Sequence, residues 1–512
     1  MLDSVCSIVR CVSLMRRIFS NPLLPLAAGL CLRFFFVLKY PAGSGDTVLY
    51  DQIATNWLKH HAYAMNVAGA ITPVDIRMPG FPAFLAMIYW LSRKTGPEAR
   101  FWIMTAQVGI DLLTCLVIAQ MAAVLNVLAF EGEDARRAFS VALWLAALCP
   151  FTANYVAVPL TETLAIFFTA LTLLFLCAML LKFREPQRQF ARTPWLTRLN
   201  AERLGAFGGF AAGLGTLVRP ETPLLLIVAL GVLGFYLLRN RQWRVMLRLA
   251  AFIAIGCVLP PLPWAIRNAI TLHEIQFLAP KNSNLPGELV PYGFMAWEKT
   301  WLFRIRDAYL VSWKLNDESI NLDDIPPGAF DTPDEKERVA ALLEPYNEDL
   351  TLTPEEDAGF GQLAKERTAR HPLRTDLWLP AGRAFTLWFS PRVELLPLSG
   401  KAFPLAEAWE DDPVDQSVTI FFTLLTVGYL ALAAWGAKRL WRQETAHTAV
   451  ALLLAFLIVR TLFLATLETP EPRYVLECFP AILALVAQVF AGRRAPSQIR
   501  VQPHINPHQM QA

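Results

Sequence analysis

Long apolar runs recur along this chain and constrain its fold more than any other feature. We predict membrane spans at residues 20–38, 101–128, 138–158, 161–182, 201–218, 221–238, 246–266, 416–437, 447–467 and 475–492. Most of these runs supply the roughly 20 residues that an α-helix needs to cross a hydrocarbon core of ~30 Å, and 201–218 is at the lower limit. Only 17% of residues are charged and the mean hydropathy is +0.38. The chain is therefore predicted to be an all-α polytopic membrane protein.

One further apolar stretch, residues 79–92, is too short to count with these spans. Its fourteen residues would extend about 21 Å as an α-helix, so we expect a re-entrant or surface helix. A tilted helix or a thinned bilayer is the alternative that would let it cross. With 79–92 left out, the basic clusters all fall on one side, which the positive-inside rule makes the cytoplasm, together with both termini. The clusters are Arg16 and Arg17, Arg136 and Arg137, the basic residues from Lys182 to Arg203, Arg239, Arg241 and Arg244, Lys438, Arg439 and Arg442, and Arg493 and Arg494.

This topology divides the chain into four parts. Residues 1–266 form an N-terminal transmembrane module with a first outer loop at 39–100, and 267–415 form an outer segment. Residues 416–494 form the C-terminal transmembrane helices, and 495–512 form a polar, disordered cytoplasmic tail. The outer segment is α-rich, because Thr332 and Thr353 are each followed by proline and by a glutamate three residues on, as in a capping box. Residues 374–390 mix tryptophan and phenylalanine with arginine, which is typical of a helix at the membrane interface.

Several classes of function lack their signals in this chain. A net charge of +3 is too small to indicate a nucleic-acid-binding protein. The sequence has no Walker A loop, no G-x-G-x-x-G fingerprint after a strand and no G-x-S-x-G nucleophile elbow. It also has no His/Cys cluster with zinc spacing. We expect no required cofactor, and a divalent metal held by the outer carboxylates is the less favoured alternative.

An aspartate just beyond the first span, Asp46 in Ser44-Gly45-Asp46, is the first candidate site residue. It either caps the short amphipathic helix that carries Tyr50 and Asp51 or supplies a reactive carboxylate. Arg77 follows about thirty residues later and either snorkels to the interface or binds a phosphate through its guanidinium fork. Glu162 either caps a helix or needs a partner, because an unpaired carboxylate near the hydrocarbon is costly.

The predicted topology places four arginines on the outer face of the membrane, where the positive-inside bias disfavours them. They are Arg77, Arg219, Arg267 and Arg473. Acidic and aromatic neighbours accompany them at Glu221, Glu471 and Tyr474. Taken alone, each arginine could be a membrane-boundary anchor; together they indicate an anionic ligand at the outer leaflet.

Six short motifs occur in a fixed order along residues 20–490. They are Gly45-Asp46, Arg77-Met78-Pro79-Gly80-Phe81-Pro82, Leu160-Thr161-Glu162-Thr163-Leu164, Arg219-Pro220-Glu221, Pro263-Trp264-Ala265-Ile266-Arg267-Asn268 and Glu471-Pro472-Arg473-Tyr474. This series resembles the GT-C superfamily of integral-membrane glycosyltransferases. It is most similar to the family-39-like bacterial branch, which is related to protein O-mannosyltransferases and the aminoarabinose–lipid A transferase.

The resemblance implies a GT-C-like helix bundle with juxtamembrane helices on its outer face. It implies transfer of a sugar from a polyprenyl-phosphate donor to a lipid, glycan or protein acceptor at the outer face of the inner (plasma) membrane, with inversion. Asp46 matches the acidic residue that acts as base, whereas the nearest second acidic residue, Asp51, does not have the family's spacing.

The remaining predicted roles follow from these motifs and their chemistry. Donor-phosphate binding is assigned to Arg77, Arg219, Arg267 and Arg473. Substrate binding is assigned to Tyr50, Asp51, Glu162, Glu221, Glu471 and Tyr474. Two alternatives remain: a lipid or solute transporter or flippase, and a non-catalytic membrane scaffold. The transporter should show paired discontinuous helices or inverted repeats.

Overall fold

The computed structural model describes residues 21–130, 134–185, 196, 198–280, 282, 284–285, 288–400 and 405–491. These residues are mostly helical, with loops and one antiparallel hairpin of β1 (Ala64–Val67) and β2 (Ala70–Pro73). Ala64 pairs with Pro73 and Val67 with Ala70. The predicted tail 495–512, the start of the first predicted span and the basic pairs at residues 16–17 and 493–494 lie outside the described residues.

The helices before residue 280 build most of the bundle. Among the described residues they are α1 Leu23–Lys39, α2 Gly45–His60, α3 Gly80–Ser92, α4 Arg100–Phe130, α5 Ala135–Ala147, α6 Pro150–Ala153, α7 Glu162–Arg184, α8 Ala201–Thr216, α9 Pro223–Arg239, α10 Trp243–Val258 and α11 Leu262–Thr271. Short 3₁₀ helices lie at Gly96–Ala99 and Asn154–Ala157.

The first helices after residue 290 form a group of their own, and the last ones belong to the bundle. They are α12 Tyr292–Lys299, α13 Ile305–Leu310, α14 Pro333–Asp349, α15 Pro354–Arg370, α16 Leu379–Phe389, α17 Leu405–Asp411, α18 Pro413–Trp441, α19 His447–Ala465 and α20 Phe479–Phe490. Short 3₁₀ helices add Ser312–Lys314, Leu322–Asp324, Pro327–Ala329, Glu444–Ala446 and Pro472–Cys478, and a π-helical turn lies at Arg374–Trp378.

Five helical segments of the described chain are long and apolar enough to cross a membrane individually. They are Gly96–Phe130, Glu162–Arg184, Pro413–Trp441, Glu444–Ala465 and Pro472–Phe490. Two bent pairs, α5 with Pro150–Ala157 and α10 with α11, bring the number to seven, with bends of 50° and 49°. Prolines stand at both bends, where they end one helix and begin the next. This is a multi-pass membrane protein.

Helices occupy the other three predicted spans as well, but they are shorter. α1 and α9 have 17 residues and α8 has 16, which corresponds to about 24–26 Å. The count of ten spans therefore stays a prediction. The 13 residues of α3 cover only about 20 Å, in keeping with the expectation of a helix that does not cross straight through.

Glycines allow α8 to pack directly on α10. A Cβ added to Gly209 would lie 2.1 Å from the backbone oxygen of Ile253, and one added to Gly256 would lie 2.2 Å from that of Ala206. Small residues let membrane helices approach at backbone distance and gain van der Waals contact. The glycines of this short span are thus what a close helix pair requires.

The segment between α11 and α18 has its own hydrophobic core, built around Phe294, Trp297 and Phe360. Thr332 and Thr353 begin α14 and α15 as predicted, each accepting the backbone N–H of the glutamate three residues on. The predicted boundaries at 266/267 and 415/416 fall inside helices, since α11 continues to Thr271 and α18 begins at Pro413.

The predicted interfacial helix consists of the π-helical turn followed by α16. Trp378 and Phe385 expose 67% and 62% of their surface, as rings at headgroup depth would. On the opposite face, Arg383 is buried and donates to the backbone oxygens of Lys299, Leu302 and Ala465. These bonds join α16 to the segment core on one side and to the end of α19 on the other.

Candidate active site

Six stretches of chain meet at one end of the bundle. They are the start of α2, the loop before α3, the start of α7, the turn between α8 and α9, the second half of α19, and the 3₁₀ helix Pro472–Cys478 with the residue before it. Their charged side chains form one connected set of ion pairs, which we call the ion-pair cluster. It comprises Asp46, Arg77, Glu162, Arg219, Glu221, Arg460, Glu471, Arg473 and Glu477.

Asp46 is the second residue of α2, but it does not cap that helix. Ser44 is the N-cap and forms a reciprocal capping box with Thr47. The carboxylate of Asp46 lies 2.8 Å from Arg77 Nη2 and 3.8 Å from Arg473 Nη2, and about a third of the side chain (33%) is exposed. The structure therefore contradicts the capping interpretation and shows a partly exposed carboxylate held by two arginines; its reactivity stays a prediction.

The segment that carries Arg77 is fixed by backbone contacts. Gly80 N donates to Leu217 O at 2.6 Å, and a Cβ at Gly80 would lie 2.5 Å from that oxygen. The Tyr63 hydroxyl donates to the backbone oxygen of Arg77 at 2.8 Å. The guanidinium also lies 6.0 Å from the ring of Tyr50. Arg77 is therefore anchored toward the cluster and does not snorkel away from it.

Tyr50 lies next to Arg77 and Asp46. Its ring packs edge-on against Phe81 with centroids 5.0 Å apart. Burial raises the pKa of the Tyr50 hydroxyl to about 12; the charge of Asp46 adds to the rise, and Arg77 and Arg219 oppose it. Tyr50 is consequently neutral across the physiological range.

Glu162 is the first residue of α7 and is almost fully buried, with 2% exposure. Its Oε1 lies 2.7 Å from Arg219 Nη2 and 3.5 Å from Arg473 Nε. Its Oε2 has no hydrogen-bond partner within the described part of the chain. A buried carboxylate oxygen without a donor is costly, and this atom therefore keeps an unused acceptor position beside Arg219 and Arg473.

Arg219 lies in the turn between α8 and α9 and is surrounded by acidic groups. Its Nε donates to Thr161 Oγ1 at 3.1 Å, and its Nη1 lies 3.5 Å from Glu221 and 3.6 Å from Glu477. Burial lowers the pKa of Arg219, but the three surrounding glutamates, including Glu162, outweigh it and the net shift is upward. Arg219 is thus held in its charged form.

Arg473 lies in the 3₁₀ helix Pro472–Cys478 and completes the cluster. Its Nε lies 2.5 Å from Glu471 Oε2, and the Tyr474 hydroxyl donates to Glu471 Oε1 at 2.6 Å. The ring of Tyr474 lies 5.2 Å from Arg219 and 5.4 Å from Arg473. The ring of Tyr474 therefore lies within cation–π range of both guanidinium groups.

Two predicted site residues point elsewhere. Asp51 accepts a short hydrogen bond from Tyr89 on α3, and burial raises the pKa of its carboxyl. Arg267 donates to the backbone oxygens of Val74 and Tyr63 and forms no ion pair with the cluster in the described residues. Arg267 therefore braces the hairpin that leads to Arg77, and Asp51 ties α2 to α3.

Two cluster members were missed by the sequence reasoning. Arg460 lies inside α19 and pairs with Glu477 in the 3₁₀ helix that follows, with Nη2 and Oε1 2.7 Å apart. A lone arginine within an apolar span is itself a signal of function or of a buried partner. The prediction overlooked it because residues 447–467 were weighed only as a span.

The cluster contains five carboxylates and four arginines, so no arginine in it lacks an acidic neighbour. The more exposed end is formed by Asp46, Arg77 and Arg473, and the buried end by Glu477 and Arg460. Within the described residues, no group of three or more His, Cys, Asp and Glu side chains is arranged to hold a metal ion. The arrangement can accept a proton at Asp46 and place positive charge beside it.

Comparison with known proteins gives few matches. No family model matches the chain. No curated protein matches it. Among solved structures, the chain is similar to ArnT from Cupriavidus metallidurans bound to undecaprenyl phosphate, with 14% identity, 91% of this chain and 77% of that chain covered, and a TM-score of 0.39. For the same protein in the apo state, identity is 14%, coverage is 92% and 77%, and the TM-score is 0.38.

It is also similar to the archaeal oligosaccharyltransferase AglB from Archaeoglobus fulgidus in complex with an inhibitory peptide and a dolichol-phosphate. Identity is 12%, the TM-score is 0.47, and 91% of this chain aligns with 50% of that chain. The chain thus spans about half the length of that enzyme.

Proposed function

We propose that this protein is a membrane glycosyltransferase that moves a sugar from a polyprenyl-phosphate donor to an acceptor at the outer face of the inner membrane. The observation that carries the proposal is the setting of Asp46: a partly exposed carboxylate 2.8 Å and 3.8 Å from two arginines, at the end of a membrane-helix bundle. A base beside two cations is what the displacement of a phosphate leaving group requires.

The proposed reaction is a single inverting displacement. Asp46 takes the proton of the acceptor hydroxyl as its oxygen bonds to the anomeric carbon. The bond from that carbon to the phosphate oxygen breaks on the opposite side, and its electron pair leaves with the polyprenyl phosphate. Arg77 and Arg473 stabilise the charge on the leaving phosphate, so neither a metal nor a separate general acid is needed in this scheme.

Other cluster members supply binding and positioning. Glu162 Oε2, which has no hydrogen-bond partner in the described chain, is proposed to accept a hydroxyl of the donor sugar. Arg219 is proposed to lie behind Glu162 and add positive charge to the phosphate side. Glu221 holds Arg219 in place. Glu471 and Tyr474 hold Arg473 in place. We retain Tyr50 as substrate-contacting and assign Asp51 and Arg267 supporting roles, for the reasons given above.

The proposed orientation rests on charge. The positive-inside rule applied to the basic loops puts both termini in the cytoplasm and the cluster on the periplasmic or extracellular side. The donor's apolar chain would remain in the bilayer beside the bundle. Lipid, glycan and protein acceptors are all compatible with a partly exposed Asp46.

Mass spectrometry of envelope lipids and glycans tests the proposal in strains carrying no gene, the wild-type gene, Asp46→Asn or Asp51→Asn. The deletion and Asp46→Asn strains are expected to lose one sugar modification and to accumulate a polyprenyl-phosphate sugar. Asp51→Asn, a carboxylate change on the same helix but outside the cluster, is expected to match the wild type. A normal envelope in the Asp46→Asn strain would contradict the proposal and favour a transporter or scaffold.

A further inference from the structure

Behind Arg219, away from Asp46, the described chain has a buried ion pair that the proposed chemistry does not use. Arg460 and Glu477 are 2% and 3% exposed, and Arg460 Nη2 lies 2.7 Å from Glu477 Oε1. The other oxygen of Glu477 accepts from Thr169 Oγ1 at 3.1 Å. A buried pair of this kind is seldom a source of stability, because desolvation offsets the attraction between the charges. Stability alone therefore does not explain why this ion pair is present.

The pair is connected to the phosphate side through Arg219. Glu477 Oε1 lies 3.6 Å from Arg219 Nη1, and Glu221 Oε1 lies 3.5 Å from the same atom. Arg460 Nη2 approaches both of these carboxylates, at 2.7 Å and 3.7 Å. Glu477 and Glu221 are thus shared between Arg219 and Arg460, and of these two arginines only Arg219 also contacts Glu162.

Arg460 also reaches the second arginine of the site through the backbone. Its Nε and Nη2 donate to the backbone oxygen of Tyr474 at 3.2 Å and 3.0 Å. Tyr474 follows Arg473 directly, and its ring lies against both Arg473 and Arg219. The buried side chain of Arg460 therefore contacts residues that hold two other guanidinium groups, those of Arg219 and Arg473.

Removing the charge of Arg460 would change the balance of this arrangement. Among the residues that the structure describes, Arg219 would then be the one cation left near Glu477 and Glu221, and both would draw it toward the buried end. The cluster would also gain one unit of uncompensated negative charge. Both effects disfavour a phosphate at the accessible end, and in a site of low dielectric they are poorly screened.

We propose that Arg460 is a positioning residue that neutralises Glu477 and Glu221 and so keeps the charge of Arg219 available to the donor phosphate. This inference rests on the proposed function, since it concerns how the same site binds its phosphate. It assigns no chemistry to Arg460, which touches neither the reacting atoms nor the accessible end of the cluster.

The test uses the full-length protein in nanodiscs and two probes, undecaprenyl phosphate and the neutral alcohol undecaprenol. The ratio of their dissociation constants isolates recognition of the phosphate from binding of the chain. Arg460→Gln is expected to reduce this preference for the phosphate by about tenfold, as expected for the loss of one poorly screened charge. Arg460→Lys, which keeps the charge, is expected to retain most of the preference.

The double variant Arg460→Gln/Glu477→Gln gives the sharpest discrimination. It removes the negative charge of Glu477 together with the positive charge of Arg460. The preference for the phosphate lipid is therefore expected to return to within about threefold of the wild type. Glu477→Gln alone, which relieves Arg219 of one carboxylate, is expected to bind the phosphate lipid at least as tightly as the wild type. A double variant whose preference for the phosphate is no greater than that of Arg460→Gln, or a Glu477→Gln protein that binds undecaprenyl phosphate more weakly than the wild type, would overturn the inference.

A second buried ion pair provides the matched control. Arg33 and Asp111 are 0% and 2% exposed, with Arg33 Nε 2.7 Å from Asp111 Oδ2, and neither contacts the cluster in the described chain. Arg33→Gln/Asp111→Asn is expected to leave the preference for the phosphate unchanged. If Arg460→Gln leaves it unchanged too, the inference fails. If the wild type itself shows no preference for the phosphate, the proposed function fails first.

Discussion

Replacing Asp46 by asparagine should weaken the reaction but strengthen binding of the donor lipid. The carboxylate lies where a phosphate would compete for the same two cations, Arg77 and Arg473. Asparagine has nearly the same shape and no charge. It leaves both guanidinium groups with less competition and removes the repulsion between carboxylate and phosphate.

The size of the effect follows from distance and exposure. The two contacts are 2.8 Å and 3.8 Å, and the side chains of Asp46 and Arg77 are 33% and 18% exposed. Fully exposed ion pairs contribute about 0.2–1 kcal/mol, whereas loss of one partner in a buried pair costs about 3–5 kcal/mol. Two half-buried contacts fall between these limits, at about 1–2 kcal/mol, which corresponds to roughly 5- to 30-fold tighter binding.

The assay is a titration of undecaprenyl phosphate into nanodisc-reconstituted protein, with undecaprenol as the neutral comparison. Asp51→Asn is the matched control because it removes a carboxylate five residues away that pairs with Tyr89 and not with the cluster. Its affinity should equal that of the wild type. If Asp46→Asn bound undecaprenyl phosphate no more tightly than the wild type, competition between the carboxylate and the phosphate would be refuted.

Two further predictions concern the supports of Arg77, and a third concerns a buried carboxyl group in the segment between α11 and α18. Gly80→Ala should destabilise the protein by about 1–3 kcal/mol in thermal unfolding, because its Cβ would lie 2.5 Å from a backbone oxygen. Tyr63→Phe removes the hydrogen bond to the backbone of Arg77, so undecaprenyl phosphate binding should weaken by about 2- to 10-fold. Burial raises the pKa of the Glu298 carboxyl from 4.5 to about 8. The hydrogen bond from Ser312 opposes this rise, and the charge of Glu468 adds to it. Stability should therefore fall as pH rises between these values, and Glu298→Gln should abolish that dependence.

Each of these has a control or a contrary outcome. Gly231 lies inside α9, and a Cβ added there would meet no neighbouring group of the described chain within 4 Å, so Gly231→Ala should be neutral or slightly stabilising, by up to about 1 kcal/mol. Unchanged phosphate-lipid affinity in Tyr63→Phe would show that Arg77 does not depend on that bond. A wild-type protein equally stable at pH 6 and pH 9, or an undiminished pH dependence in Glu298→Gln, would contradict the role given to Glu298.

The sequence predicted much of the cluster because its signals were local. Asp46, Arg77, Glu162 and Arg473 each stand at the end of an apolar run, and the topology puts such ends together at one surface. Span length and loop charge were sufficient for that inference. The capping of α2 by Ser44, and not by Asp46, needed the backbone geometry of the helix start.

What could not be predicted depends on which way buried side chains point. Arg267 and Asp51 have the right residue types near the right end, yet their partners are backbone oxygens of the hairpin and a tyrosine on α3. Arg460 was missed because its partner Glu477 lies in the next segment, across a turn. Pairing across helices depends on their rotation about their axes, which spacing along the chain does not specify.

Direct conversion of the donor is the most stringent test of the proposed transfer. Lipids extracted from the deletion strain, which should contain the accumulated donor, would be incubated with envelope fractions and with wild-type, Asp46→Asn or Asp51→Asn protein in liposomes. Mass spectrometry should show polyprenyl-phosphate sugar converted to free polyprenyl phosphate by the wild type and Asp51→Asn, and no conversion by Asp46→Asn. Equal conversion by Asp46→Asn, or none by the wild type, would contradict the assignment of a glycosyltransferase with Asp46 as its base.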